Sequence, residues 1–136
     1  MLQLGKKEYE AILNHGVTGL PNEACGLIGG IIDREVKIVK EVYLLRNLDE
    51  SNEHFTMDPA EQLAAVKDLR KKGYVLIGNF HSHPETPSRP SEEDIRLAYD
   101  PNASYLILSL MHRDKPVLKA FYISGSVVAE EPIELV

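Results

Sequence analysis

The sequence predicts an α/β domain built on one mixed β-sheet with helices packed against it. Three observations carry this reading. Short apolar runs that read as strands alternate with segments of helical period. Some neighbouring strand runs are joined by turns too short for a crossover, as at Asp33-Arg34-Glu35, so those pairs are antiparallel hairpins. One helix has both ends marked, with Asp58 as cap, Pro59 in the first position and Gly73 as the stop.

Along the chain, residues 6–16 place Tyr9, Ile12 and Leu13 at helical spacing, and Gly16 with Gly19-Leu20-Pro21 stops that helix. Residues 24–32 form an apolar strand with Gly26, Gly29 and Gly30, the mark of a backbone that something approaches closely. Val36, Ile38, Val42, Leu44 and Leu45 make the returning strand, which ends near Asn47. Residues 48–57 are polar and irregular. The helix from Pro59 runs to about Lys72, with Leu63, Val66 and Leu69 expected inward. Tyr74-Val75-Leu76-Ile77-Gly78 opens a buried strand that carries on into His81-Ser82-His83, and Pro84, Pro87 and Pro90 stiffen the loop after it. Ser91 opens a further helix, with Ile95, Leu97 and Ala98 apolar, that closes before Pro101. Residues 104–111 and 117–124 are two more strands, and 127–129 a short last one. The acidic tail, residues 130–136, is expected to be loosely held. With no internal repeat, low-complexity segment or linker, residues 1–136 are expected to form a single domain.

The totals exclude several classes. The chain is 43% hydrophobic and 26% charged, which is ordinary globular composition and far from disorder. A net charge of −6 argues against a general nucleic-acid binder and against an anionic membrane surface. The one cysteine, Cys25, rules out an internal disulfide and a Cys-based zinc knuckle, and reads as a small buried hydrophobe. The first residues lack the apolar core of a signal peptide and no run is long enough to span a bilayer, so the expected location is cytoplasmic.

The chemistry centres on His81-Ser82-His83. Residues i and i+2 of a strand share a face, so the two imidazoles project side by side and Ser82 points the other way. Two such histidines are either half of a metal site or ordinary strand residues. Asp94 is placed to return as an oxygen ligand, which would complete the three-ligand, one-open-position set of a catalytic zinc. A site of that kind needs a free carboxylate to take a proton, and Glu23 stands at the entrance to the glycine-bearing strand; alone it would be a solvated carboxylate. Ser91 reads two ways, as a hydroxyl donor for an oxyanion or as the cap of Ser91-Glu92-Glu93-Asp94, a capping-box pattern. His15, His54 and His112 have no ligand spacing and read as surface residues.

Glu23, then His81-Ser82-His83-Pro84, then a stretch reaching Pro90, then Ser91-x-x-Asp94 resembles the JAMM motif of the MPN+ zinc metalloproteases (Mov34/MPN/PAD-1). Pro21-Asn22-Glu23-Ala24-Cys25-Gly26-Leu27-Ile28-Gly29-Gly30 is similar to the first strand region of that family. The resemblance implies a cytidine-deaminase-like α/β/α sandwich with a central mixed β-sheet. It implies Zn2+ on His81, His83 and Asp94, Glu23 as general acid/base and Ser91 as an oxyanion stabiliser. No position of the motif is substituted, which disfavours an inactive scaffold. With no insertion between its motifs, the chain resembles the short prokaryotic members, and the implied partner is a ubiquitin-like or sulfur-carrier protein with a Gly-Gly C-terminus. The implied reaction is peptidase or isopeptidase hydrolysis after that Gly-Gly, with residues 48–57 as a wall of the cleft. The alternatives are a zinc hydrolase acting on a small amide and a non-catalytic zinc-binding module. The Pro-Cys-x-x-Cys ligands of nucleobase deaminases are missing. Homo-oligomer formation is left open.

Overall fold

A computed structural model describes residues 1–136. The elements run β1 (Leu2–Leu4), α1 (Lys6–Gly19), β2 (Cys25–Asp33), β3 (Val36–Leu45), α2 (Pro59–Lys72), β4 (Val75–His83), α3 (Glu92–Arg96), β5 (Ser104–Ser109), β6 (Val117–Ser124), β7 (Val127–Glu131) and β8 (Ile133–Leu135). The eight strands form one mixed sheet in the order β7-β6-β5-β4-β2-β3-β1-β8. β2 pairs antiparallel with both β3 and β4, whereas β4 and β5 are parallel. The chain between β4 and β5 is a crossover, and it carries α3.

Alternation along the strands sorts side chains to two faces. On β5, Leu106 and Leu108 join Ile12 of α1 and Phe80 of β4 in the main core, while Ile107 faces the other way toward Ile95 of α3. On that second face Ala65 of α2 packs with Cys25, Leu27, Leu45 and Met57. The result is the α/β/α sandwich, with α1 on one face and α2 and α3 on the other. No helix is long and apolar enough to cross a membrane.

Local chemistry explains the element ends. Asp58 accepts from the Ala60 amide at the start of α2, and Gly73 closes the helix at φ +79°, where only glycine is at ease. The glycine-bearing strand behaves as expected. A side chain at Gly26 would strike the Phe80 ring and one at Gly29 would strike Leu69 of α2. Gly78 is tighter still, since an added Cβ would lie 1.8 Å from the Ser104 carbonyl oxygen of β5. Gly78→Ala is therefore expected to force β4 from β5 and to destabilise by about 1–3 kcal/mol or more, read as a lowered denaturant midpoint.

Several expectations need correction. Leu63 does not face inward; it is 55% exposed, and Ala65 and Leu69 are the buried residues of α2. The helix opened by Ser91 does close before Pro101, but already at Arg96, so Leu97 and Ala98 lie beyond it. The acidic tail is not loose. β8 pairs parallel with β1, and Glu131 is buried, accepting from the Ser104 and Tyr122 hydroxyls at 2.6 and 2.5 Å. Hydrogen bonding to two hydroxyls and a 3.6 Å approach of the terminal amine compensate this carboxylate for lost water.

Candidate metal centre

Strand β4 delivers His81 and His83 to its last turn of chain, on the face shared with α2 and α3. Both imidazoles are buried, at 3% and 5% exposure. Their Nε2 atoms are 3.1 Å apart, and Asp94 Oδ2 lies 3.2 Å from the first and 3.0 Å from the second. Asp94 reaches them from α3. The proline-rich loop turns β4 back so that α3 begins beside the histidines, and Ser91 fixes the first turn. Its Oγ accepts from the Asp94 amide while its own amide donates to Asp94 Oδ2, a complete capping box.

The donor set fits zinc. A tetrahedral ion with bonds of about 2.0–2.1 Å spaces its ligands by about 3.3–3.4 Å, close to the three separations seen. The tautomer of His83 agrees, because Nδ1 is 3.0 Å from the Pro87 carbonyl and must carry the hydrogen, which leaves a lone pair on Nε2 facing the centre. His81 Nδ1 is buried without a partner, so no hydrogen bond at that nitrogen orients the ring. Phe55 does so by stacking on it, with centroids 4.6 Å apart and planes at 25°. With both hydrogens on Nδ1, two imidazole lone pairs and a carboxylate would meet at one point, a donor set suited to a cation. In the metal-free chain the same atoms bond one another. Burial opposes charge on Asp94, but hydrogen bonds from His81 and His83 outweigh it and hold the carboxyl well below the usual range. Burial likewise pulls the His83 imidazole down, and contacts with Asp94 and the Pro87 carbonyl more than reverse this.

Glu23 enters from the other side, two residues before the body of β2. Its backbone is clamped by its amide to the Ser51 carbonyl at 2.7 Å and by Asn47 Nδ2 to its carbonyl at 3.0 Å. The next residue is stitched to the histidine strand. The Ala24 amide donates to Ser82 Oγ at 2.8 Å, and the Ser82 amide donates to the Ala24 carbonyl at 2.9 Å. Ser82, pointing away from the histidine face, thus sets the distance between Glu23 and the triad. Glu23 is 6% exposed, and no protein group hydrogen-bonds its carboxyl oxygens. Burial pushes its pKa up to about 8; His83 draws it down and Asp94 raises it, so this acid faces the triad electrically.

The five predicted site residues come to one region, though not in equal ways. His81, His83 and Asp94 converge on a point. Glu23 is a buried neighbour of that point. Ser91 is exposed at the rim with its oxygen in the helix cap, and its hydroxyl hydrogen stays available to a second acceptor. Sequence reasoning missed three supports. Phe55 sits in a polar segment whose fold-back onto His81 has no local signature. His54, read as surface, is exposed but bonds Glu93 of α3 at 2.9 Å, which tethers the 48–57 segment across the site. His15 is no surface residue: its Nε2 lies 3.0 Å from both the Cys25 and Leu45 carbonyls, bridging β2 and β3 beside Glu23. Cys25 is buried and free, as expected.

The chain is similar to proteins of one known family. Residues 5–124 match the family model described as prokaryotic homologs of the JAB domain. A CysO-cysteine peptidase of Mycobacterium tuberculosis is 29% identical over 128 residues, 93% of this chain and 85% of that protein. A desampylase of Haloferax volcanii is 30% identical over 113 residues, 79% of this chain and 80% of its own length. Among solved structures, a protein from Desulfitobacterium hafniense is 58% identical and superposes with a TM-score of 0.93 over 100% of this chain and 93% of that one. A JAB1/MPN domain protein from Archaeoglobus fulgidus shares the fold at 23% identity, with a TM-score of 0.64 over 100% and 99% of the two chains.

Proposed function

The chain belongs to the family of prokaryotic JAB-domain homologs, and from that premise we propose that it is a zinc-dependent peptidase or isopeptidase that hydrolyses the bond after the C-terminal Gly-Gly of a ubiquitin-like or sulfur-carrier protein. The observation that carries this reading is the meeting of His81 Nε2, His83 Nε2 and Asp94 Oδ2 beside a buried carboxyl that has no protein partner of its own. The relatives named CysO-cysteine peptidase and desampylase support the peptidase reading.

His81, His83 and Asp94 would hold the ion and leave one position open. Zinc bound there would make a water acidic near neutral pH and would polarise the scissile carbonyl. Glu23 takes a proton as water attacks the carbonyl carbon, and gives it to the amine nitrogen as the C–N bond breaks. Burial raises this carboxyl and a bound cation would lower it, opposing effects that suit a group which must both take and return a proton. The Ser91 hydroxyl donates to the carbonyl oxygen as charge builds on it. Phe55 and the His54–Glu93 bond wall the site from water on one side.

The test is metal analysis with a cleavage assay on a Gly-Gly carrier bearing a short extension. About one zinc per chain is expected, with turnover abolished by a chelator and restored by zinc. Full-rate cleavage by demonstrably metal-free protein overturns the reading.

A further inference from the structure

The metal triad has a neighbour that the reaction as described does not use. Beside His81, a small cleft of ≈ 50 Å³ opens between the 48–57 segment, α3 and the strands β5 and β6, and Glu23 is not among its lining residues. Phe55 and Leu97 stand at its mouth, and Ile107 and Ile123, each 1% exposed, form its floor. His81 and Asp94 themselves line it, so whatever occupies it lies against the reacting centre.

We propose that this cleft receives the side chain of the residue or free amino acid that leaves as the amine, and that it selects a small apolar one of about two to four heavy atoms. This rests on the Gly-Gly reading above. A tail ending in two glycines has no side chain to offer next to the scissile carbonyl, so the side chain nearest that bond, and best placed to fill an apolar recess beside the metal, is that of the leaving residue. At about 10–15 Å³ per water-sized group, the volume holds about three to five such groups. Valine and leucine fill that space, and cysteine fits within it.

Charge points the same way. No lysine or arginine lines the cleft, so an acidic side chain would lose water without gaining a partner. The one acid at its edge that is not a proposed ligand, Glu93, is held by His54 at 2.9 Å and approached by Arg96 at 3.8 Å. It is not free to receive a lysine. Tyr105, which could have offered a hydroxyl, spends it on Asp100, donating to the carbonyl at 3.1 Å and accepting from the amide at 3.2 Å. Asn79 is the remaining neutral polar group. An isopeptide lysine would have to carry its long stem and charge past these walls, whereas an α-linked valine brings only the three carbons the cleft can cover.

The experiment uses the zinc-loaded protein and one carrier ending in Gly-Gly-X, with X as Gly, Val, Leu, Asp, Lys or Trp, and a second substrate in which Gly-Gly is joined to a lysine ε-amine. Initial kcat/KM for each is read by mass spectrometry. Val and Leu are expected at least about tenfold above Asp, Lys, Trp and the ε-linked substrate, the scale on which apolar pockets discriminate. Leu97→Asp, at a position 47% exposed and so safe for folding, is expected to collapse the Val-over-Gly ratio and raise the relative rate for Lys. Equal rates for all X, a preference for Asp, Lys or the ε-linked substrate, or a Val-over-Gly ratio untouched by Leu97→Asp each overturns the inference while leaving the Gly-Gly reading standing. If no Gly-Gly substrate is cut by protein with its zinc in place, that reading falls and takes the inference with it.

Discussion

Glu23→Gln is expected to keep its zinc and lose hydrolysis, with kcat down by about 10²–10⁴ and KM little changed. The amide has the shape of the acid and the same neighbours but cannot shuttle a proton. Since Glu23 is not one of the three converging donors, metal content should stay at the wild-type value. Turnover at the wild-type rate in protein shown by mass to be the pure variant would remove Glu23 from the mechanism. The same substitution has a second readout, in stability. Burial raises the Glu23 pKa from 4.5 to about 8 in the folded, metal-free chain. The unfolded chain therefore ionises first. The stability this group contributes is fully present below about pH 4.5 and is lost as pH rises toward 8. Metal-free Glu23→Gln should lack that slope and should be the more stable protein above pH 8. A divalent cation on the triad would pull the acid back down, so zinc should flatten the wild-type slope as well. Parallel pH–stability curves for the two metal-free proteins would contradict the burial of a protonated Glu23.

How much of this was legible in the sequence depended on how local the cause was. The limits of α2 were, because Asp58, Pro59 and Gly73 act on their own first and last turns. So was the pairing of His81 with His83, which needs only the two-residue period of a strand. Asp94 and Glu23 were legible only as a spaced pattern, since nothing near either residue says which strand it will face. The supports were not legible at all. Phe55 reaches His81 because the 48–57 segment folds back, held by Asn47 bonds to the Glu23 and His54 carbonyls. His15 is drawn inward by two carbonyls that meet only once β2 and β3 have paired. β1 and β8 are three residues each, too short for a period to show, and they exist because β1 pairs with β3 and β8 pairs with β1. Glu131 looked like a solvated tail acid because its partners, Ser104 and Tyr122, lie 27 and 9 residues away.

Asp94→Asn is the other change with a large expected effect, and paired with Ser91→Ala it separates two jobs that share one turn of helix. Asp94 Oδ2 faces both imidazoles and also accepts the Ser91 amide at 2.9 Å. Asparagine can still accept that amide through its own oxygen, so α3 should keep its start. What it loses is the negative charge, held low in pKa by His81 and His83 despite burial. A dication bound by two neutral imidazoles and an amide is far less well balanced. Zinc affinity should fall by at least about 10²-fold and activity at limiting zinc by more, and the metal-free protein should also melt lower, because the charge that His81 and His83 hold is gone. Ser91→Ala should leave the metal in place. It removes the acceptor for the Asp94 amide, a loss of about 1 kcal/mol in cap energy, while zinc stoichiometry holds. If Ser91 is only a cap, kcat measured well below the melting temperature should match the wild type. If its hydroxyl also donates to the carbonyl oxygen, kcat should drop by about 10–10³ with zinc still bound. Ser91→Thr, which retains both the cap and the hydroxyl, should then recover most of the rate. A rate loss in Ser91→Ala that tracks lost zinc would return the residue to the helix alone, and an Asp94→Asn protein that holds zinc as tightly as the wild type would remove Asp94 from the ligand set.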